Sequence, residues 1–271
     1  MSEGNLIDVS AASALLEVGP DPWRDYLEVR GLRVEFDGFV AVRDVDLTVL
    51  NGDLRFLIGP NGAGKTTIID AITGLVRASG SAKFGGEELL GRSVHSIARS
   101  GVGRTFQTAS VIDELSVLAN LDIAGGAKRP RRLLWRARGA DVPEAVAEAL
   151  EVIGLARLRD QPAGSLAHGQ KQWLEIGMLL VQNAKLLLLD EPVAGMSQPE
   201  REQTAVLLRT LAPHHTMIVV EHDMEFLRAV ADSVTVLSAG QVLAEGRVAE
   251  IQANQKVQEI YLGTPTSEGG R

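Results

Sequence analysis

The chain has 271 residues, 45% of them hydrophobic, enough for one large domain or a domain with a lobe inserted into it. A formal net charge of -8 excludes a general electrostatic hold on nucleic acid or on an anionic membrane surface. The absence of cysteine excludes disulfides, thiolate metal sites and a cysteine nucleophile.

Residues 1–26 are small and polar, with Gly19, Pro20 and Pro22 near their end, and read as a flexible extension. They lack the basic and long apolar regions of a secretion signal, so the expected location is inside the cell. From Leu27 the runs "LEVRGLRVEF" and "VDLTVL" read as strands. The strand "DLRFLIG" then leads into a glycine-rich loop and an apolar-periodic helix expected over Lys65 to Leu75. That order, strand then loop then helix, is the one phosphate chemistry requires.

Between about 108 and 180 the pattern turns helical, as in a lobe inserted into the core. "PEAVAEALEVIGLARL" places Val146, Ala149, Leu150 and Ile153 on one face, with Pro143 at the start and Gly154 as terminator. A basic cluster from Lys128 to Arg138 reads first as a solvated loop and helix start, with a partner or lipid-headgroup contact as the alternative. Strand signals return at "KLLLLD", "TMIVVEH" and "SVTVLS", apolar without interruption, as in parallel strands buried on both faces. "SAGQVLAEG" reads as a turn between two strands, and residues 263–271 as a flexible tail. The longest purely aliphatic run, Leu186 to Leu189, falls far short of the roughly 20 residues a membrane helix needs.

The chemistry concentrates in a few places. "GPNGAGKTT", from Gly59 through Pro60, Asn61, Gly62, Ala63, Gly64, Lys65 and Thr66 to Thr67, completes the pattern G-x-x-x-x-G-K-[ST] in its proper context. Its glycines allow backbone N–H groups to form an anion nest, Lys65 neutralises outer phosphates, and the Thr66 hydroxyl ligates Mg2+. "KLLLLDEP" supplies Asp190, able to hold the magnesium through water, and Glu191, able to orient or deprotonate an attacking water. His222, just past another apolar strand, stands where an imidazole reaches the terminal phosphate. Gln107, where the core hands over to the helical lobe, offers an amide to metal and water. Neither of these two carries weight alone.

Together these residues resemble the ATP-binding subunit of an ABC transporter, over Leu27 to Leu262. In that family's terms "GPNGAGKT" is similar to Walker A, Gln107 to the Q-loop glutamine, "LAHGQ" (Leu166, Ala167, His168, Gly169, Gln170) to the signature, "LLLLDE" to Walker B and His222 to the switch histidine. Phe36 matches the aromatic on which adenine stacks; a plain core aromatic is its alternative. The resemblance implies an α/β fold of the P-loop NTPase (ABC ATPase) type: a mostly parallel sheet, antiparallel strands at the amino end and an inserted helical subdomain at about 108–180, within one ATPase domain spanning 27–262. It implies ATP and Mg2+ as ligands, with Glu191, His222 and Gln107 in catalysis and Thr66, Gln107 and Asp190 at the metal.

It also implies head-to-tail pairing with a second ATPase subunit, identical or, as is usual in the importer branch, different. Two membrane permease subunits and, indirectly, a substrate-binding protein complete the assembly at the cytoplasmic face of the membrane. The wording "HGQKQWLEIGMLL" looks most like the urea-uptake ATPases, with branched-chain amino acid importers as the alternative and lipid or polysaccharide export further off. A DNA-repair ATPase with the same head is disfavoured by the short lobe and the acidic surface. A non-hydrolysing nucleotide sensor is disfavoured by the complete set Lys65, Asp190, Glu191 and His222. Two departures stand out in the signature, Ala167 for serine and His168 for glycine, and a third in Ser197, where many members have aspartate or asparagine.

Overall fold

The computed structural model describes residues 26–106, 110–126 and 142–262. Gln107, the basic cluster at Lys128 to Arg138, nearly all of the amino-terminal extension and the tail lie outside the described residues. Strands β1 (Leu27–Phe36) and β2 (Phe39–Val49) form an antiparallel hairpin. Its turn is Asp37-Gly38, both with positive φ (46° and 86°), the pairing that suits the twist of a two-residue turn. The second strand therefore starts well before the apolar run that announces it in the sequence.

Strand β3 (Leu54–Ile58) feeds helix α1 (Lys65–Ile72). This helix stops three residues short of the expected Leu75, because Gly74 takes a left-handed conformation (φ 75°) and ends it. Strands β4 (Ser79–Phe84) and β5 (Glu87–Glu88) follow, then helix α2 (Val94–Arg99) and strand β6 (Val102–Arg104). Helices α3 (Val117–Gly125), α4 (Glu144–Val152) and α5 (His168–Val181) follow. Ser116 caps α3 by accepting from Ala119 N at 3.1 Å, and Gly154 ends the region of α4 with φ 69°. Val146, Ala149, Leu150 and Ile153 are all buried, as their spacing requires.

The chain then alternates: β7 (Leu186–Asp190), α6 (Gln198–Leu211), β8 (Thr216–Val220), α7 (Met224–Val230), β9 (Ser233–Ser238) and β10 (Gln241–Gly246), ending in α8 (Val248–Ala253) and α9 (Gln255–Leu262). Two sheets result. One is antiparallel in the order β2-β1-β4-β5; the other runs β10-β9-β3-β8-β7-β6, parallel except for β10. The leucines of β7 show how the larger sheet is held. Leu186 and Leu188 enter the apolar cluster around α1 between the sheets, whereas Leu187 and Leu189 enter the cluster shared with α5, α6 and α7. A strand's two-residue period sends alternate side chains to opposite layers, so an unbroken leucine run fits only a strand covered on both sides. Strand β3 sits at the middle of this sheet, between β9 and β8, and its carboxyl end opens the site.

Candidate active site

The loop after β3 is pressed between two backbones. A side chain at Gly59 would put its Cβ 2.3 Å from the Leu237 carbonyl oxygen, and one at Gly64 would come within 2.8 Å of the Ala41 oxygen. Both glycines also have positive φ (154° and 98°), so packing and conformation each demand glycine. Gly62, by contrast, faces nothing within 4 Å. The loop is thus tight on its inner side and open on its outer side, where Pro60, Asn61, Gly62 and Thr66 are exposed. Ala63 is buried, its carbonyl accepting from Gly240 N at 3.1 Å, and Thr67 is half-buried in the first turn of α1. That turn presents backbone N–H groups with no intrahelical acceptor, the positive end of the helix dipole.

Lys65 bends back over the loop, its Nζ donating to the carbonyls of Gly59 (2.8 Å) and Pro60 (3.1 Å). Burial holds its ammonium below the usual lysine pKa, while the nearby charges of Glu191 and Asp190 pull it up. These three side chains therefore share one site.

Asp190 ends β7 and is 2% exposed. Its Oδ2 accepts from Arg104 Nη2 at 3.3 Å, and its backbone N donates to the Thr105 hydroxyl at 3.3 Å. Burial raises its pKa; Arg104 opposes this, and Glu191 and Asp70 reinforce it. Oδ1 is buried and has no hydrogen-bond partner among the described residues. A buried carboxylate oxygen left open is costly in a finished core. It fits the place of a ligand to hydrated magnesium, with the exposed Thr66 as the other donor. Arg104 also binds Asp70 of α1, so it ties α1 to β7 across the sheet. Arg104 and Asp70 escape notice in the sequence, where nothing distinguishes a buried arginine on a short strand from an exposed one.

Glu191 has φ 51°, a left-handed conformation that a non-glycine residue adopts only when its surroundings enforce it. Its N–H donates to Val220 O at 2.9 Å, which turns the chain sharply off β7. The exposed His222 places Nδ1 3.8 Å from Glu191 Oε1, near but not bonded. Both stand at the carboxyl edge of the parallel strands, where ligands of open α/β sheets bind.

The "LAHGQ" element forms the start of α5. Ala167 is the N-cap residue, with extended backbone and no side chain able to cap; its N–H is covered by Gln170 Oε1 at 3.0 Å. His168, which the likeness to the signature offers as a donor toward a partner's nucleotide or as a ring facing solvent or the partner chain, places Nε2 3.1 Å from Ala194 O, within its own chain. Gly169 is buried against Glu200: a Cβ there would lie 2.8 Å from Glu200 Oε1. Ser197 donates its hydroxyl to Glu200 Oε2 at 2.7 Å, so it fastens the start of α6. The described structure brings the phosphate loop, Asp190, Glu191 and His222 together and leaves the helix end at Ala167 to Gln170 linked to the turn after β7. Phe36 is 45% exposed at the hairpin tip, which rules out the core alternative; Phe39, paired with it across the turn and more exposed still, was not singled out in the sequence.

A family model described as "ABC transporter" matches residues 42–194, and one described as "Branched-chain amino acid ATP-binding cassette transporter" matches residues 241–266. The chain is 35% identical to the high-affinity branched-chain amino acid transport ATP-binding protein BraF of Pseudomonas aeruginosa, covering 89% of this chain and 98% of that one. It is 35% identical to LivG of Escherichia coli, another protein so described, over 88% of this chain and 97% of that one. Among solved structures it is similar to a nucleotide-free ATP-binding cassette from an ABC transporter, with a TM-score of 0.77 and 30% identity over 88% of this chain and 99% of that one. The ADP conformation of MJ1267, another such cassette, matches with a TM-score of 0.77 and 31% identity, with the same coverage. The fold, the order of motifs and these matches give one conclusion: the chain belongs to the ABC transporter ATP-binding family.

Proposed function

We propose that the chain is the ATP-hydrolysing subunit of an importer for branched-chain amino acids, and that the residues gathered at the carboxyl edge of β3, β7 and β8 carry out the hydrolysis. ATP hydrolysis belongs to the family. The observation that carries the site assignment is the convergence of Lys65, Asp190, Glu191 and His222 on one strand edge, with an open acceptor on Asp190. In this reading the nest from Gly59 to Thr67 holds the phosphates and Lys65 turns from the loop carbonyls to the outer phosphate oxygens. Thr66 and Asp190 hold magnesium, which when bound neutralises charge on those oxygens. Glu191 orients and deprotonates the attacking water, with His222 beside the terminal phosphate and Phe36 under the adenine. Gln107 keeps its proposed role toward metal and water.

The substrate expectation changes. The names of the relatives and the carboxyl-terminal family match favour branched-chain amino acids over urea, the reading first suggested by "HGQKQWLEIGMLL". Uptake of labelled leucine and labelled urea in a strain lacking this chain decides between them. Loss of leucine uptake alone supports the present reading; loss of urea uptake alone overturns it.

A single chain carries one phosphate loop and one signature-like helix end, so we infer a head-to-tail pair with a second ATPase subunit, related or identical. Ala167, His168, Gly169 and Gln170 then face the partner's nucleotide. No described helix is long and apolar enough to cross a membrane, so permease subunits would form the channel. Between α2, β6 and α5 lies an apolar cleft of about 260 Å³ edged by the exposed Leu75, Val94 and Phe106, and it suits an inserted segment of such a permease. In this reading the chain works at the cytoplasmic face of the membrane, held through the permeases and served by a substrate-binding protein.

A further inference from the structure

We propose that Glu221 is a positioning residue for ATP hydrolysis: its buried carboxylate fixes the turn that carries Glu191 and the loop that carries His222 in one geometry. The inference rests on the reading of this chain as an ATPase with those two residues at the reaction.

Glu221 follows directly on β8 and is 2% exposed. Its two oxygens reach in two directions. Oε1 accepts from Val193 N at 3.2 Å, in the turn two residues beyond Glu191. Oε2 accepts from His222 N at 2.9 Å and from Asp223 N at 3.2 Å, the two residues that open the next loop. The His222 ring places Nδ1 3.8 Å from Oε2, and among the described residues no lysine or arginine pairs with this carboxylate. Burial pushes its pKa up, and the three backbone donors hold it down.

A buried acid with no lysine or arginine paired to it among the described residues is an expensive way merely to fill space. What the carboxylate adds is acceptor capacity on both oxygens at once. Glutamine has one acceptor oxygen, and its amide nitrogen would face a backbone N–H. One of the two connections must then be lost. Neither Glu191 nor His222 is held to the other by a direct bond, and Glu191 sits in a backbone conformation that relaxes if its turn is released. Among the described residues Glu221 is the one side chain bonded to both segments. The fixation continues outward, because Asp223 caps α7 through Glu225 N and Phe226 N (both 2.9 Å) and pairs with Arg201 of α6 at 2.7 Å.

The test uses the assembled transporter, with its partner ATPase and permeases in proteoliposomes, and follows phosphate release. Glu221→Gln is expected to lower kcat about 10- to 100-fold while the KM for MgATP stays within about twofold, as for loss of an outer-sphere orienting group. In a His222→Ala background the same substitution should cost clearly less, since one of the groups it positions is gone. Glu221→Asp, which keeps two acceptor oxygens on a shorter arm, should recover part of the rate and covers the case in which the glutamine variant fails to assemble. A kcat within twofold of wild type for Glu221→Gln overturns the proposal. So does an equal loss in both backgrounds, the mark of a purely structural role. A wild-type complex that releases no phosphate with magnesium and ATP would overturn the ATPase reading itself, which separates the two failures.

Discussion

Asp190 and Glu221 are both 2% exposed, both acidic, and one residue apart in register at the ends of neighbouring parallel strands, since Asp190 lies opposite Val220. Their hydrogen bonding differs. Asp190 has one oxygen on Arg104 and the other open; Glu221 has both oxygens on backbone N–H groups. The open oxygen of Asp190, at the strand edge beside Lys65, is arranged to meet something from outside the chain, whereas Glu221, with both oxygens engaged, is arranged to hold the chain. The same strand edge contains both kinds, one to bind and one to align.

The comparison is tested most strongly at the residue between them. Glu191→Gln should retain ATP yet lose about 100- to 10,000-fold in kcat, because the amide keeps the shape and removes the base. Equilibrium binding of a fluorescent ATP analogue beside phosphate release checks both halves; a variant with near-normal kcat would remove Glu191 from the reaction. Next in size is Asp190→Asn. If its open oxygen serves hydrated magnesium, the Mg2+ concentration for half-maximal turnover should rise about 10- to 100-fold, with nucleotide binding in EDTA unchanged. An unchanged magnesium requirement would place Asp190 with Glu221 among the residues that only hold the chain, and the distinction would collapse.

Much of this was legible in the sequence for one physical reason: short contiguous motifs describe local backbone. The phosphate loop uses glycine where its own turn demands positive φ, at Gly59, Gly62 and Gly64, and the leucines of β7 record a strand covered on both faces. The helical face of Val146, Ala149, Leu150 and Ile153 is equally local. What stayed hidden depends on which distant segments meet. Arg104 bridges Asp70 and Asp190, and Glu221 bridges Val193 and His222, but nothing in "GRTF" or "VVEHD" marks a charge as buried. The contact of His168 with Ala194 in its own chain is hidden in the same way.

A third buried acid sharpens the contrast through pH. Glu175 is 3% exposed on α5; its Oε1 accepts from Phe106 N (3.3 Å) and Ser110 N (3.2 Å), and its Oε2 is buried without a partner among the described residues. Burial raises its pKa from 4.5 to about 7, against the pull of those two N–H groups. Between pH 4.5 and 7 the unfolded chain therefore releases a proton that the folded chain keeps, so folding stability falls as pH rises through that window and levels off above it. Glu175→Gln should remove that slope and raise Tm at pH 8 by about 3 °C or more. Thermal melts from pH 5 to 8 measure it; parallel profiles for variant and wild type would mean that Glu175 is ionised throughout.

The smallest effect concerns the end of α5. Ala167 occupies an N-cap with extended backbone and half a capping box, the half supplied by Gln170. Serine there would supply the other half, accepting from the Gln170 N–H, and should stabilise the chain by about 0.5 to 1 kcal/mol. A hydroxyl accepts and donates at once, so capping its own helix leaves the serine proton free for a phosphate of the partner's nucleotide. Ala167→Ser should accordingly raise Tm slightly and preserve or raise turnover of the assembled pair, with nucleotide binding to the isolated chain unchanged. A higher Tm with lower turnover would show instead that the uncapped N–H is itself needed at the partner's nucleotide, and the alanine would count as part of the site.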